Sequence, residues 1–422
     1  MSYFEEQIRQ DLQRLVEAEP TASRWQSICS LLDQWSSQET LEEELLPWLE
    51  EALLDWPATL CEAPESWVDR LCRGASDGRW RLITSLSLDG RCPPTDVLEH
   101  IATSDWFANL ERLSLEENYL EDSEVIPLVR SQTLQHLQQL YIGYNDLGMD
   151  TLDHLSNSQT MAGLTHLGLA GMELDEDCVS LLGRSLVLHN LEYLDLAQTP
   201  LILDDLEDLL QGPALRNLQK LDLSGVFLEG DDFTYFMDCP ALSKLSGLTL
   251  QEMNLGDSEA EDIAESPYFA NLEFLDLSMN NIGDQGAALL ARSHYLDNLQ
   301  HLLLDENQIA TGGMLALAES TTLTKLQTLT LADQESEAWE TEVADEALLA
   351  FPQAVYAPSL ETLELQGNPL SFDAVEQFLE LPGLKESLKA RWLESWNAED
   401  DTEDDDTTEE AWEQDENLWE DV

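Results

Sequence analysis

Apolar residues return along most of the chain in the pattern L-x-x-L-x-L. The copies begin at Ile83, Leu110, Leu137, Leu164, Leu191, Leu218, Leu245, Leu272, Leu299, Leu326 and Leu360, spaced by 27 residues nine times and by 34 once. In each copy the first, fourth and sixth positions point to one side of a short strand and its flanks, and the residues between point to the other. One copy cannot bury its leucine row alone. Stacked copies pair their strands in parallel and share a continuous core, so stability accumulates from neighbour to neighbour. The stretches between strands, such as Gly283–Ser293, carry helical apolar spacing with Asp284 placed as an N-cap. The pattern predicts an α/β solenoid, with a parallel sheet on the concave side and helices on the convex side.

Two copies are especially clear, Leu272-Glu273-Phe274-Leu275-Asp276-Leu277-Ser278-Met279-Asn280-Asn281-Ile282 and Leu299-Gln300-His301-Leu302-Leu303-Leu304-Asp305-Glu306-Asn307-Gln308-Ile309. They match the leucine-rich-repeat consensus. With a 27-residue period and a helix in each repeat, residues 83 to 370 resemble the ribonuclease-inhibitor-like class, which implies a horseshoe. The resemblance also implies a buried asparagine in each repeat, bonding the neighbouring loop. That position holds Arg91, Asn118, Asn145, Met172, Thr199, Val226, Met253, Asn280, Asn307, Gln334 and Asn368. Four middle repeats have lost it, so their backbone must find other partners; the turn is filled with apolar bulk, or the curvature changes locally and shapes a binding patch.

The ends depart from the repeat. Residues 1–80 read as a helical cap, with Leu41, Leu45, Leu46, Leu49 and Leu53 at helical spacing and six of the twelve tryptophans. Leu31-Leu32-Asp33-Gln34-Trp35 is similar to the acidic-tryptophan helix of the N-terminal repeat-companion domain found in some bacterial leucine-rich-repeat proteins. Residues 81–370 form the array of eleven repeats, swollen once around Asp333–Glu340, where Trp339 is a candidate contact. Residues 371–396 read as a helical C-terminal cap. Residues 397–422 hold 14 acidic and no basic residues, a composition expected to stay disordered, and Trp412, Leu418 and Trp419 mark it as a candidate short motif.

Charge narrows the partners. The chain carries 86 acidic and 19 basic residues, a formal net charge of −67. Without the tail, 72 acidic residues still face 19 basic ones, a net −53, so the acidity belongs to the body. Nucleic acid and bare anionic membrane are repelled, and basic proteins or cations are attracted. Lysine is scarce, five against fourteen arginines, which also resembles proteins of salt-tolerant organisms. The first residues lack a secretory pattern and no apolar run approaches the ~20 residues of a membrane span, so the expectation is a cytoplasmic, soluble, monomeric chain. Six scattered cysteines read as free thiols.

Phosphate-loop, nucleophile-elbow and metal-helix motifs are absent from the sequence, and the seven histidines are dispersed. The expectation is a non-enzymatic scaffold that binds a protein partner on its concave face, with no cofactor and no metal. The candidate partner-binding residues lie at strand positions three and five, namely Tyr141, His166, Tyr193, Asp195, Lys220, Asp222, Phe274 and Asp276, with Tyr144 just beyond its strand. Two alternatives stay open. The layout of repeats and acidic tail resembles the Ran GTPase-activating proteins, which would imply GTPase regulation, and also the acidic histone-binding phosphoproteins, which would imply a chaperone-like binder of basic proteins. If the acidity answers a saline solvent, the melting temperature should climb by several degrees between low and molar salt. A thermal melt that is flat in salt refutes that origin.

Overall fold

The computed structural model describes residues 3–228, 232–335 and 344–400, with the side chains of 394–400 left aside. Trp339 and the motif residues Trp412, Leu418 and Trp419 lie outside the described residues. The chain divides into two compact units, Met1–Asp195 with Gly212–Asn217, and Leu196–Gln211 with Leu218–Val422. Each is built from the same repeat.

The first unit holds strands β1 (Ser85–Ser87), β2 (Arg112–Ser114), β3 (Gln139–Tyr141), β4 (His166–Gly168) and β5 (Tyr193–Asp195). They pair consecutively and in parallel, Leu86 opposite Leu113, then Leu140, Leu167 and Leu194. The second unit holds β6 (Lys220–Asp222), β7 (Gly247–Thr249), β8 (Phe274–Asp276), β9 (His301–Leu303), β10 (Thr328–Thr330) and β11 (Thr362–Glu364). They too pair in order and in parallel. Leu329 meets Leu363 across the 34-residue spacing, so the swollen repeat keeps strand register. The leucines at repeat positions one, four and six are buried throughout, and each stabilises its unit by roughly 1.5–3 kcal/mol relative to exposure.

What joins one repeat to the next, beside leucine packing, is a set of side chains bonding backbone one period away. Asn145 Oδ1 accepts from the N–H groups of Asn118 and Leu120, at 3.1 and 3.0 Å, while its Nδ2 donates to the carbonyls of Leu115, Ile142 and Gly143. Asn280 serves Met253 and Leu255 in the same way. Gln334 replaces asparagine without loss, its Oε1 accepting from Ile309 N–H and its Nε2 donating to the carbonyl of Leu304. Of the four middle places where asparagine is missing, three close the turn on their own strand, while Met253 relies on Asn280 of the next repeat. Val226 N–H donates to the carbonyl of Leu223 at 3.0 Å, Met172 N–H to that of Leu169 at 3.3 Å, and the Thr199 hydroxyl to that of Leu196. A second row of serines runs on the helix side. The hydroxyls of Ser131, Ser158 and Ser185 donate to the carbonyls of Ala102, Val129 and Ser156 in the first unit, and those of Ser266, Ser293 and Ser320 to Met237, Ala264 and Ala291 in the second.

The expected cap at Asp284 needs correction. Gly283 occupies the N-cap of helix Asp284–Leu290, and the Asp284 carboxylate instead accepts from Ala310 and Gly313 N–H groups, at 2.8 and 2.7 Å, at the start of the next repeat's helix Thr311–Ala318. Asp257 does the same for Gly283 and Gly286, and Asp122 for Gly148 and Thr151. The sequence pattern shows an acidic residue at a helix start; only stacking shows which helix it serves.

Seven residues after each repeat's first position the backbone is left-handed, at Gly90, Glu117, Tyr144, Gly171, Gln198, Gly225, Glu252, Met279, Glu306, Asp333 and Gly367. This turn lifts the chain out of the strand. Glycine takes it freely, whereas a residue with a Cβ is held there at some cost.

The first unit begins in helices Tyr3–Val16, Ala22–Asp33, Leu46–Ala52 and Glu65–Cys72. Trp25, Trp35, Trp67 and Trp80 are buried among them. One Asp33 oxygen accepts from Trp67 Nε1, Arg70 and Arg79, and a parallel bridge from Glu62 to Ser85 covers the open side of β1. At the other end, helix Phe372–Glu380 packs Phe378 against Trp392, ring centroids 5.0 Å apart. The following helix runs Glu386–Asp400, four residues past the boundary drawn from composition.

Removing a ladder asparagine orphans two buried donors. Asn280→Ala should lower stability by about 2–4 kcal/mol, while Asn281→Ala, whose side chain is exposed, should stay within about 0.5 kcal/mol. Denaturant midpoints that fall equally for both would disprove the ladder's role.

Candidate functional site

The nine residues chosen from the sequence fall into two groups, one in each unit. In the first, Tyr141, His166 and Tyr193 form a single cluster on the strand face. The Tyr141 ring leans across β4 to reach Tyr193, centroids 6.5 Å apart, because Gly168 leaves the space. A Cβ there would sit 2.5 Å from the Tyr141 Cδ1. His166 lies 5.5 Å from the Tyr193 ring, and the Arg112 guanidinium covers Tyr141 at 5.2 Å. Asp195, beside them, is half-buried.

In the second unit Phe274 packs against His301, centroids 6.1 Å apart, and His301 Nδ1 meets the Thr328 hydroxyl at 3.0 Å. Burial holds the His301 imidazole below its ordinary value. The carboxylates are occupied by their own turn or that of the repeat before. Asp222 accepts from Ser224 N–H and hydroxyl, and Asp276 from Ser278 N–H and the Gln251 amide. Lys220 is half-buried on β6.

Burial changes the expectation for these side chains. Tyr141 and Tyr193 are each only 8% exposed, Phe274 2% and Asp276 3%. Strands ~4.8 Å apart bring the side chains on one face into contact, so a large ring is shielded by its neighbours. These aromatics chiefly build the face. At its edge, the loops that leave the strands carry exposed rings. Tyr144 is 39% exposed, and Tyr119, not among the nine, is 78% exposed; both hold left-handed backbone, at φ 52° and 56°. In the second unit the same edge exposes Phe227 and Ile202. The sequence did carry this signal. Tyr119 and Phe227 stand at the position after the asparagine column, where other repeats have Asp146, Glu173, Asn254, Asn281 and Gln308.

The rim around Tyr119 and Tyr144 is acidic. The four loops 89–94, 116–122, 143–148 and 170–175 contain eight carboxylates and one basic side chain, Arg91. Arg91 is engaged by Glu65 and Asp69, at 3.0 and 3.1 Å. Asp89, Asp122 and Asp175 accept backbone N–H groups of their own unit, whereas Glu117, Asp146 and Glu173 are exposed. Elsewhere in this unit, a cavity of about 510 Å³ on the helix side is lined by Arg130, Gln132, Asp153, His154, Asn157 and Ser158. Among the described residues no group of three His, Cys, Asp or Glu side chains is arranged to hold a metal ion. No described helix is long and apolar enough to cross a membrane.

The strand face of the second unit bears a strongly perturbed acid. Burial, reinforced by Asp276 and Glu364, pushes the Asp305 carboxyl up to about 7 from 3.8, although the Thr330 hydroxyl and Ala332 N–H bond it. A folded-state value above the unfolded one means stability from proton uptake, complete below pH ~4 and lost as pH rises through ~7. Asp305→Asn should therefore melt several degrees above wild type at pH 8, with the gap closing towards pH 4. A gap that does not vary with pH would show that Asp305 is ionised throughout.

A leucine-rich-repeat family model matches residues 270–291, the repeat around β8. No curated protein matches the sequence. Among solved structures, an internalin from Listeria monocytogenes str. 4b F2365 is similar over 71% of this chain and 94% of its own, at 18% identity and a TM-score of 0.31. TLR13, in a complex with ssRNA13, is similar over 71% of this chain at 17% identity and a TM-score of 0.39, and the match spans 46% of its length. From the eleven equivalent strand motifs, the parallel pairing that they build within each unit and the repeat matched at residues 270–291, the chain is a leucine-rich-repeat protein.

Proposed function

We propose that this chain is a protein-binding scaffold that docks its partner on the first unit, along the loop edge beside β2–β5 and the strand face behind it. The observation that carries this reading is the pair Tyr119 and Tyr144. Two large rings stand exposed on neighbouring repeats, each on backbone that disfavours a side chain. The left-handed turn at Tyr144 is the one every repeat makes, and that at Tyr119 is shared by Cys92 and Asn254, so it is the exposed rings that single out this pair. Tyrosine is also among the residues that dominate binding energy in interfaces. Behind the pair, the packed row of Arg112, Tyr141, His166 and Tyr193 provides a stiff backing, and rigidity reduces the entropy lost on binding.

Burial also decides which substitutions test the idea. Serine at Tyr141, Tyr193 or Phe274 would open cavities and unsettle the fold. Tyr119→Ser with Tyr144→Ser should cost about 1 kcal/mol or less in stability. Full-length wild type, this double variant and Leu186→Ser, an exposed apolar control on the same unit, would be immobilised and used to capture proteins from an extract of the source organism at its own ionic strength. A partner held by wild type and Leu186→Ser should fall at least tenfold on the double variant. Equal retention by all three would remove the docking surface from this edge.

A further inference from the structure

We infer that the partner presents an extended basic segment whose arginine side chains stack on Tyr119 and Tyr144 while the exposed carboxylates of Glu117, Asp146 and Glu173 pair with them. This rests on the loop edge being the docking surface. Apolar exposure alone would suit any partner; the charge around it does not. The one basic side chain in those four loops, Arg91, is already bound by Glu65 and Asp69, so an incoming cation finds an excess of carboxylates in these loops. Six of the eight carboxylates are exposed, and of these Glu117 lies two residues before Tyr119, Asp146 two residues after Tyr144, and Glu173 on the repeat that follows. A guanidinium is the group that uses both surfaces together, its plane on a phenol face and its edge on a carboxylate. The unit already shows the ring half of that arrangement internally, with Arg112 over Tyr141 at 5.2 Å. Repeats that advance by about one strand spacing present successive rings to a chain running across them, so an extended segment fits better than a helix.

A chain of net charge −67 attracts every polycation to some degree, so the test must separate this edge from the bulk field. Binding of fluorescein-labelled nona-arginine to the full-length protein would be followed by anisotropy at ~0.15 M salt, where the field beyond ~8 Å is screened. Tyr119→Ser with Tyr144→Ser leaves the charge unchanged and should weaken binding by ~10-fold, while Tyr119→Phe with Tyr144→Phe keeps the rings and should bind like wild type. Glu117→Gln, Asp146→Asn and Glu173→Gln together should also weaken binding by ~10-fold. Asp204→Asn, Asp208→Asn and Glu261→Gln, which remove as many charges from helices of the second unit, should change it less than twofold. Unchanged affinity in the serine variant, or equal losses for the two sets of three neutralised carboxylates, would overturn the inference and leave only bulk attraction. If the serine variant loses the captured partner yet binds nona-arginine as wild type does, the docking surface survives and the basic segment does not.

Discussion

Everything in this protein depends on a polar side chain that satisfies the backbone of a neighbouring repeat. Leucines supply the driving force, but a row of leucines has no reason to stop at one relative placement. The amides of Asn145 and Asn280, the hydroxyls of Ser131 and Ser293 and the carboxylates of Asp122 and Asp284 each accept or donate one period away. Such bonds are directional, and a buried donor left without a partner is costly. They convert a greasy stack into one with a defined register. The 34-residue spacing shows how strict this is, because Asn368 still donates to the carbonyl of Leu331 across it.

The same bonds alter the meaning of the acidity. A large negative charge is ordinarily a property of the solvent-facing surface, and it strains a compact state by self-repulsion. Here part of it is structural. Asp89, Asp257, Asp284 and Asp345 spend their charge on backbone N–H groups of the next repeat. Several of these N–H groups stand at helix starts, where a negative group is favourable. Of what remains exposed, part lies beside apolar surface, as in the loops around Tyr119 and Tyr144.

The fold was legible because its signal is redundant. Eleven copies of one pattern leave little freedom, and strand positions, period and the asparagine column all read directly from the chain. The candidate site was less legible. Period-two alternation says which side of the strand Tyr141, Tyr193 and Phe274 occupy, but exposure depends on what stands on adjacent strands, as Gly168 under Tyr141 illustrates. Tyr119 was overlooked for the opposite reason. It lies outside the strand, where alternation has no say, and only comparison with the polar residues at the equivalent place in other repeats marks it. Asp284 was misread because its partner is 26 and 29 residues away, a distance at which local capping rules are silent.

The left-handed position constrains how such a chain can change. In three pairs of neighbouring repeats a residue with a side chain precedes a glycine at this place, Tyr144 before Gly171, Gln198 before Gly225 and Asp333 before Gly367, and in each the side chain fills the space a Cβ on the glycine would need. A glycine replaced there strains its own backbone and also collides with the repeat before it. Substitutions at these three glycines are therefore coupled across repeats, because a side chain gained there requires the preceding one to shrink or turn aside.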